Sequence, residues 1–177
     1  MKAAEAVFGV EGGAGSSLKA TQKRTLHVRG VGTLRDDGLK EVLVQLFKPI
    51  GSTFRFLSQE PEESDGKETA PPALAYLTAG VGFCYMTQMG RYAHIVKQDL
   101  ESYRIVQENI FTMNGSPQEE TLTASAEPVD TQVYVDMDES AEAAQKLVSM
   151  SERTCFLHAA MRNSHPTQIQ SEINSDQ

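Results

Sequence analysis

The chain has 177 residues, 40% of them apolar and 23% charged, which suits one globular domain with its own core and leaves too little for two generous ones. With 24 acidic against 16 basic side chains the formal net charge is -8, so the molecule as a whole repels phosphate backbones and anionic lipid surfaces, and neither nucleic acid nor membrane is expected as a partner. Two cysteines and no secretory leader do not make a structural disulfide framework; a pairing between them would be catalytic or sensing.

Residues 1–24 include "EGGAGSS", a composition that holds no fixed backbone, and are expected to form a loose arm. Glu5 and Glu11 interrupt any apolar core of a leader peptide there, so a cytoplasmic location is expected. From Thr25, "TLHVRGVGTL" and "KEVLVQLF" alternate apolar and polar residues around the turn "RDDG" and predict a hairpin. "STFRFLS" adds a third strand, giving a three-stranded antiparallel sheet, and the acidic "QEPEESDGKET" reads as a solvated loop.

"PPALAYLTAGVGFCYMTQMGRYAHIVK" opens on prolines that suit a first helical turn and continues at helical spacing. The neutral run 70–90 within it holds two Pro, three Gly, two Thr and a Gln, which fits a central buried helix better than a membrane span. Leu77, Val81, Cys84, Gln88 and Tyr92 share one side, and Gly80 and Gly82 cost helix propensity while allowing another backbone close. "SYRIVQENIFTM" and "TQVYVDM" predict two strands joined by "NGSPQEE", a second hairpin. "DESAEAAQKLVSM" is an amphipathic helix with Asp138 or Ser140 as its cap, and "SERTCFLHAAMRN" is a further short helix or a kinked continuation. "PTQIQSEI" completes the pattern as a last strand before a polar tail, 174–177. The whole is a single α+β domain over 25–173.

Thiolate rather than thiol attacks electrophiles, so a working cysteine needs a cation, a helix amino terminus or a base beside it. Cys155 follows Ser151, a cap residue, and Arg153, which would favour its ionised form; Cys84 lies inside its helix with no charge before Arg91. Free cysteine is also among the most buried residue types, and the residues alone leave each as either a core side chain or a working thiol. Cys155 and His158 have ligand spacing, but without a second Cys/His cluster no metal site is expected, and His94 and His165 read as isolated polar groups. "GVEGGAG" lacks the strand, helix and Lys-Ser/Thr ending of a phosphate loop and reads as a linker.

"APPALAYLTAGVGFC" and "SERTCFLHAAMRNSHPTQIQ" resemble two segments of the OsmC/Ohr family of osmotically induced and organic hydroperoxide resistance proteins, and the likeness covers about residues 25–173. It implies an OsmC-like intertwined homodimer with active sites at the subunit boundary. It further implies a thiol-dependent peroxidase for organic hydroperoxides: Cys84 becomes a sulfenic acid, Cys155 condenses with it to a disulfide, and a dithiol or lipoyl-bearing reductant restores both, with no bound cofactor. The family's arginine from the first hairpin maps best on Arg35 in "LRDDG", or on Arg29 or Arg55 in another register, whereas the family's glutamate falls on Ala75, with Ala73 and Leu74 no better. That loss raises an alternative of the same fold: a non-catalytic dimer binding a small apolar ligand, or a redox sensor.

Overall fold

Glycine at position 38 allows the backbone to reverse between two alternating segments, and a sheet grows from that reversal. The computed structural model describes residues 4–8, 25–64, 66–67, 69–163 and 166–172, which fall into two compact units, Met1–Ala79 and Gly80–Gln177. In the first unit β1 (Ala4–Phe8), β2 (His27–Leu34), β3 (Lys40–Lys48) and β4 (Thr53–Ser58) form one antiparallel sheet in the order β1-β4-β3-β2. Gly38 has φ 82, a left-handed conformation that a side chain disfavours, and its N–H donates to the Arg35 carbonyl at 3.0 Å.

The sheet has four strands where three were expected. β4 would otherwise leave a row of backbone groups unpaired, and Ala4–Phe8 fills that edge from Ala4 opposite Phe56 to Phe8 opposite Thr53. The expected loose arm thus contains a strand; the rest of it, 9–24, lies outside the described residues. Leu39, Leu57 and Ala70 make this unit's small core. Tyr76 fastens its own backbone to β4: the hydroxyl donates to the Leu57 carbonyl at 2.6 Å and the ring meets Phe56 edge-on at 5.7 Å.

The acidic segment after β4 is more ordered than its charge suggested. Pro61–Glu63 forms a turn of 3-10 helix, Glu63 pairs with Lys40, and buried Ser64 donates its hydroxyl to the Pro61 carbonyl at 2.7 Å. The Glu60 carboxylate accepts the Ala73 N–H at 3.2 Å, one of the amides a helix start leaves without an internal partner. These carboxylates repay the ordering cost as hydrogen-bond acceptors without being buried.

Helix α1 (Ala73–Val96) starts there, behind Pro71 and Pro72, and continues into the second unit. That unit adds β5 (Leu100–Glu108), β6 (Phe111–Asn114), β7 (Thr123–Ala126), β8 (Asp130–Met137), α2 (Ala141–Thr154) and α3 (Phe156–Arg162). The run expected as one strand divides at Asn109 and Ile110: β5 pairs with β8, and β6 pairs with β7 across the "NGSPQEE" turn. Only glycine fits at 115, with φ 116 and the Thr121 carbonyl oxygen 2.3 Å from where a Cβ would stand.

Alternate residues of β8, Thr131, Val133, Val135 and Met137, are the less exposed ones, the period of a half-buried strand. Within this unit the buried row of α1 is Val81, Tyr85, Met89 and Ala93, with Cys84 and Tyr92 packed at its flank. The expected stripe through Cys84 and Gln88 is therefore turned by one position, and α1 is buried on one face only, since Phe83 is 70% exposed. Gly82 accommodates the Ile105 side chain, and Gly80 that of Leu157, each 3.4 Å from an imagined Cβ; side chains rather than a second backbone use the space. Leu147 of α2 completes the core with no exposed surface, and Ser140 caps α2 by accepting the Ala143 N–H at 3.2 Å.

The expected last strand is absent over 166–172, which has no regular structure, and Ile169 is 89% exposed. A strand needs a neighbour for its backbone groups, and among the described residues none lies alongside this segment. Ile173 and the 174–177 tail lie outside the described residues. Antiparallel sheets with three helices make this an α+β fold, and no helix among the described residues is long and apolar enough to cross a membrane.

Candidate active site: a pair of thiols in the second unit

Two hydroxyls prepare the place where α2 stops. Ser151 donates to the Leu147 carbonyl at 2.6 Å and Thr154 to the Met150 carbonyl at 2.8 Å, back-bonding of the kind that competes with a helix's own ladder. The next residue, Cys155, leaves helical geometry with φ -73 and ψ 118, closing α2 and opening α3. Its N–H donates to the Glu152 carbonyl at 3.2 Å and its carbonyl accepts the Ala159 N–H at 2.9 Å. The segment is thus a kinked continuation, and the cap of α3 is Cys155 itself; Ser151 is buried inside α2.

Cys155 has no exposed surface and sits among Tyr85, Met89, Ala93 and Leu147. Its Sγ accepts the His158 N–H at 3.5 Å, and Cys84 packs against the core cluster to which Cys155 belongs. Both cysteines are free thiols, Cys155 buried and Cys84 half-buried. Burial pushes the Cys155 thiol up to about 11; the His158 N–H pulls the other way, and the neighbouring Cys84 adds to the rise. The expectation that a helix start and Arg153 would ionise Cys155 is therefore overturned. The peptide N–H groups of His158 and Leu157 do not offset the loss of water, and the Arg153 side chain is exposed with its Nη1 3.9 Å from Met150 Sδ.

His158 completes the cluster. The sequence offered it only as half of a metal-ligand spacing, yet its ring lies 5.4 Å from that of Tyr85 at 61° and its Nε2 is 3.5 Å from Thr131 Oγ1. Burial lowers its affinity for a proton, with Glu152 opposing that effect and Arg162 adding to it. The Tyr85 hydroxyl donates to the Val148 carbonyl at 3.1 Å, and burial pushes it up to about 12. Among the described residues no group of three or more His, Cys, Asp or Glu could hold a metal ion; His94 is exposed and His165 lies outside those residues.

Arg35 belongs to the first unit. Its guanidinium donates to both Asp37 oxygens, Nε to Oδ1 at 3.0 Å and Nη2 to Oδ2 at 2.9 Å, and Nη1 donates to Glu41 Oε2 at 3.1 Å. The hydrogen bonds to these carboxylates hold its proton more firmly still, and Asp37 is in turn lowered by Arg35. Arg55 pairs with Glu5 of β1, Arg29 is exposed on β2 opposite Gln45, and Ala75 is exposed in the first turn of α1.

The architecture has relatives of known structure. An OsmC-like hydroperoxide resistance protein from Jannaschia sp. CCS1 superimposes with a TM-score of 0.55 at 17% identity, over 84% of this chain and 93% of that one. An OsmC-like protein from Mycoplasma pneumoniae gives 0.55 at 11% identity, over 80% and 89%. An OsmC-like protein of unknown function from Vibrio cholerae gives 0.52 at 15%, over 78% and 94%. At these identities the likeness is one of fold. Comparison with curated proteins finds no match. The family model described as OsmC-like protein matches residues 65–170, more than half of the sequence and both cysteines with it, and the chain belongs to the OsmC-like family.

Proposed function

We propose that this protein is a thiol-dependent peroxidase that reduces organic hydroperoxides through Cys84 and Cys155. The observation that supports it is two free thiols packed in one core cluster, one half-buried and one sealed. The Cys84 thiolate attacks a peroxide oxygen, the O–O bond breaks, the alkoxide leaves and is protonated to the alcohol, and Cys84 becomes a sulfenic acid. The Cys155 sulfur then displaces the hydroxyl as water and forms the disulfide. An external dithiol or lipoyl group supplies the two electrons that restore both thiols. The apolar surroundings, Tyr85, Met89 and Leu147, favour an organic peroxide over hydrogen peroxide.

The working form in this proposal is a cytoplasmic homodimer, for which exposed apolar residues of the second unit such as Phe83 and Met113 provide surface to cover. Arg35 is its proposed activating cation. Thiol titration around one equivalent of cumene hydroperoxide tests the cycle. Two thiols per chain should disappear, Cys84→Ser should abolish consumption, and Cys155→Ser should leave a trappable sulfenic acid. Unchanged consumption in Cys84→Ser would sink the proposal.

A second reading is favoured by one observation: Ala75 brings no carboxylate, and Arg35 is already engaged by Asp37 and Glu41. In that reading the fold binds a small apolar ligand or senses oxidants without turnover. A fatty-acid-like ligand that raises the melting temperature of Cys84→Ser, with no peroxide consumption by the unaltered protein, would select it.

A further inference from the structure

We propose that Asn114 and Gly115, at the tip of the β6–β7 hairpin, form a site of spontaneous deamidation: an exposed carboxamide without a hydrogen bond among the described residues stands beside a glycine N–H that faces away from its partner strand. Ring closure requires the backbone nitrogen of the following residue to reach the side-chain carbonyl carbon of asparagine. A side chain on that residue hinders it, and so does any hydrogen bond that holds either group. The described asparagines differ in these respects. Asn109 accepts the Gln107 Nε2–H at 3.4 Å and precedes β-branched Ile110, and Asn163 donates Nδ2–H to the Ala159 carbonyl at 2.8 Å. Asn114 is held by neither device, and the residue after it has no side chain.

The fold itself demands the glycine, because the Thr121 carbonyl oxygen occupies the place of a Cβ at 115. The register then frees its nitrogen. Asn114 opposite Thr123 is the last pair of the ladder, and the Ser116 carbonyl accepts the Thr121 N–H at 3.1 Å. Bonded positions alternate along an antiparallel pair, so the Gly115 N–H between them points outward. Attack also requires the end of β6 to leave its extended form. No residue of β6 or β7 belongs to either core cluster, and a hairpin of two short strands opens at its tip at little cost.

In the reaction the Gly115 nitrogen loses its proton to hydroxide and bonds to Asn114 Cγ, and the C–N bond to the side-chain nitrogen breaks, releasing ammonia. Water then opens the five-membered imide at either carbonyl, leaving aspartate or, with the chain rerouted through the side chain, isoaspartate. No oxidant or reductant enters. The new carboxylate falls in a stretch that carries nine acidic residues and no base between Arg104 and Lys146, and the rerouted backbone breaks the pairing with Thr123. The hairpin therefore loosens while the thiols, in the core of the unit, keep their surroundings.

Trypsin releases residues 105–146 as one peptide that holds both Asn109 and Asn114, so the first serves as an internal control. After incubation of the full chain, fragment masses should place a gain of one dalton at 114 and none at 109, with isoaspartate detected by isoaspartyl-specific methyl transfer. Because the attacking amide must lose a proton far below its pKa, the rate should rise about tenfold per pH unit from neutral to mildly alkaline solution. Asn114→Gln should abolish the gain with the melting temperature and thiol titre unchanged. A folded chain still intact at 114 when a synthetic peptide of residues 109–120 has converted would overturn the assignment, as would equal conversion at Asn109 or a rate indifferent to pH.

Discussion

The turn at Arg35 and the helix break at Cys155 each set the charge of a polar group within a few residues, and they do so in opposite ways. At the turn, a half-buried guanidinium that keeps contact with water meets two carboxylates, and the hydrogen bonds favour the charged forms of Arg35 and Asp37. At the break, a sulfur is taken out of water with only peptide N–H groups for compensation, and it stays neutral. The lesson is that a residue's nearest neighbours in sequence set its charge where water remains, whereas packing from distant segments sets it where water is gone.

The comparison can be sharpened by breaking each side. The largest effect should come from the packing around the sulfur: Leu147→Ala removes a side chain with no exposed surface and should cost about 2–5 kcal/mol in urea denaturation. Next comes the pH dependence. The folded-state value of Cys155 is raised from 9.0 to about 11, so its contribution is complete below pH 9 and is lost as pH rises through 11. The unaltered protein should lose up to about 2 kcal/mol relative to Cys155→Ala across that window, with Tyr85 reinforcing the loss toward pH 12 in both proteins. An identical pH dependence in the two proteins would show that the sulfur is better solvated than its position implies. Smallest is the turn: nothing lies within 4 Å of an imagined Cβ at Gly38, so Gly38→Ala should cost only the left-handed backbone strain, about 1 kcal/mol by the same measurement.

Much of the fold was legible where local pattern and local structure agree. The alternation around "RDDG", the prolines before α1 and Ser140 before α2 all appear in the structure as hairpin, helix start and cap. The β1 strand was hidden because five residues of ordinary composition become a strand only when β4 offers an edge. The division at Asn109 was hidden for a similar reason, since β5 and β6 have different partners that no window of sequence reveals. For the site, the family likeness singled out both cysteines, and the structure packs Cys84 against the core cluster that holds Cys155. The neutral state of Cys155 could not be read from "SERTCFLH", because Tyr85 and Met89, which help remove its water, come from some seventy residues upstream. His158 carried one usable signal, its spacing of three from Cys155, which fits a helix turn as well as it fits a metal.

The interruption between α2 and α3 follows two back-bonded hydroxyls, with no proline in the segment. Alanine at 151 and 154 would remove the competition for the Leu147 and Met150 carbonyls and let one rod form, visible as added helical signal in circular dichroism. The sulfur's address is thus spelled by two side chains that never touch an oxidant, and evolution could retune the chemistry by editing them while leaving every reacting atom in place.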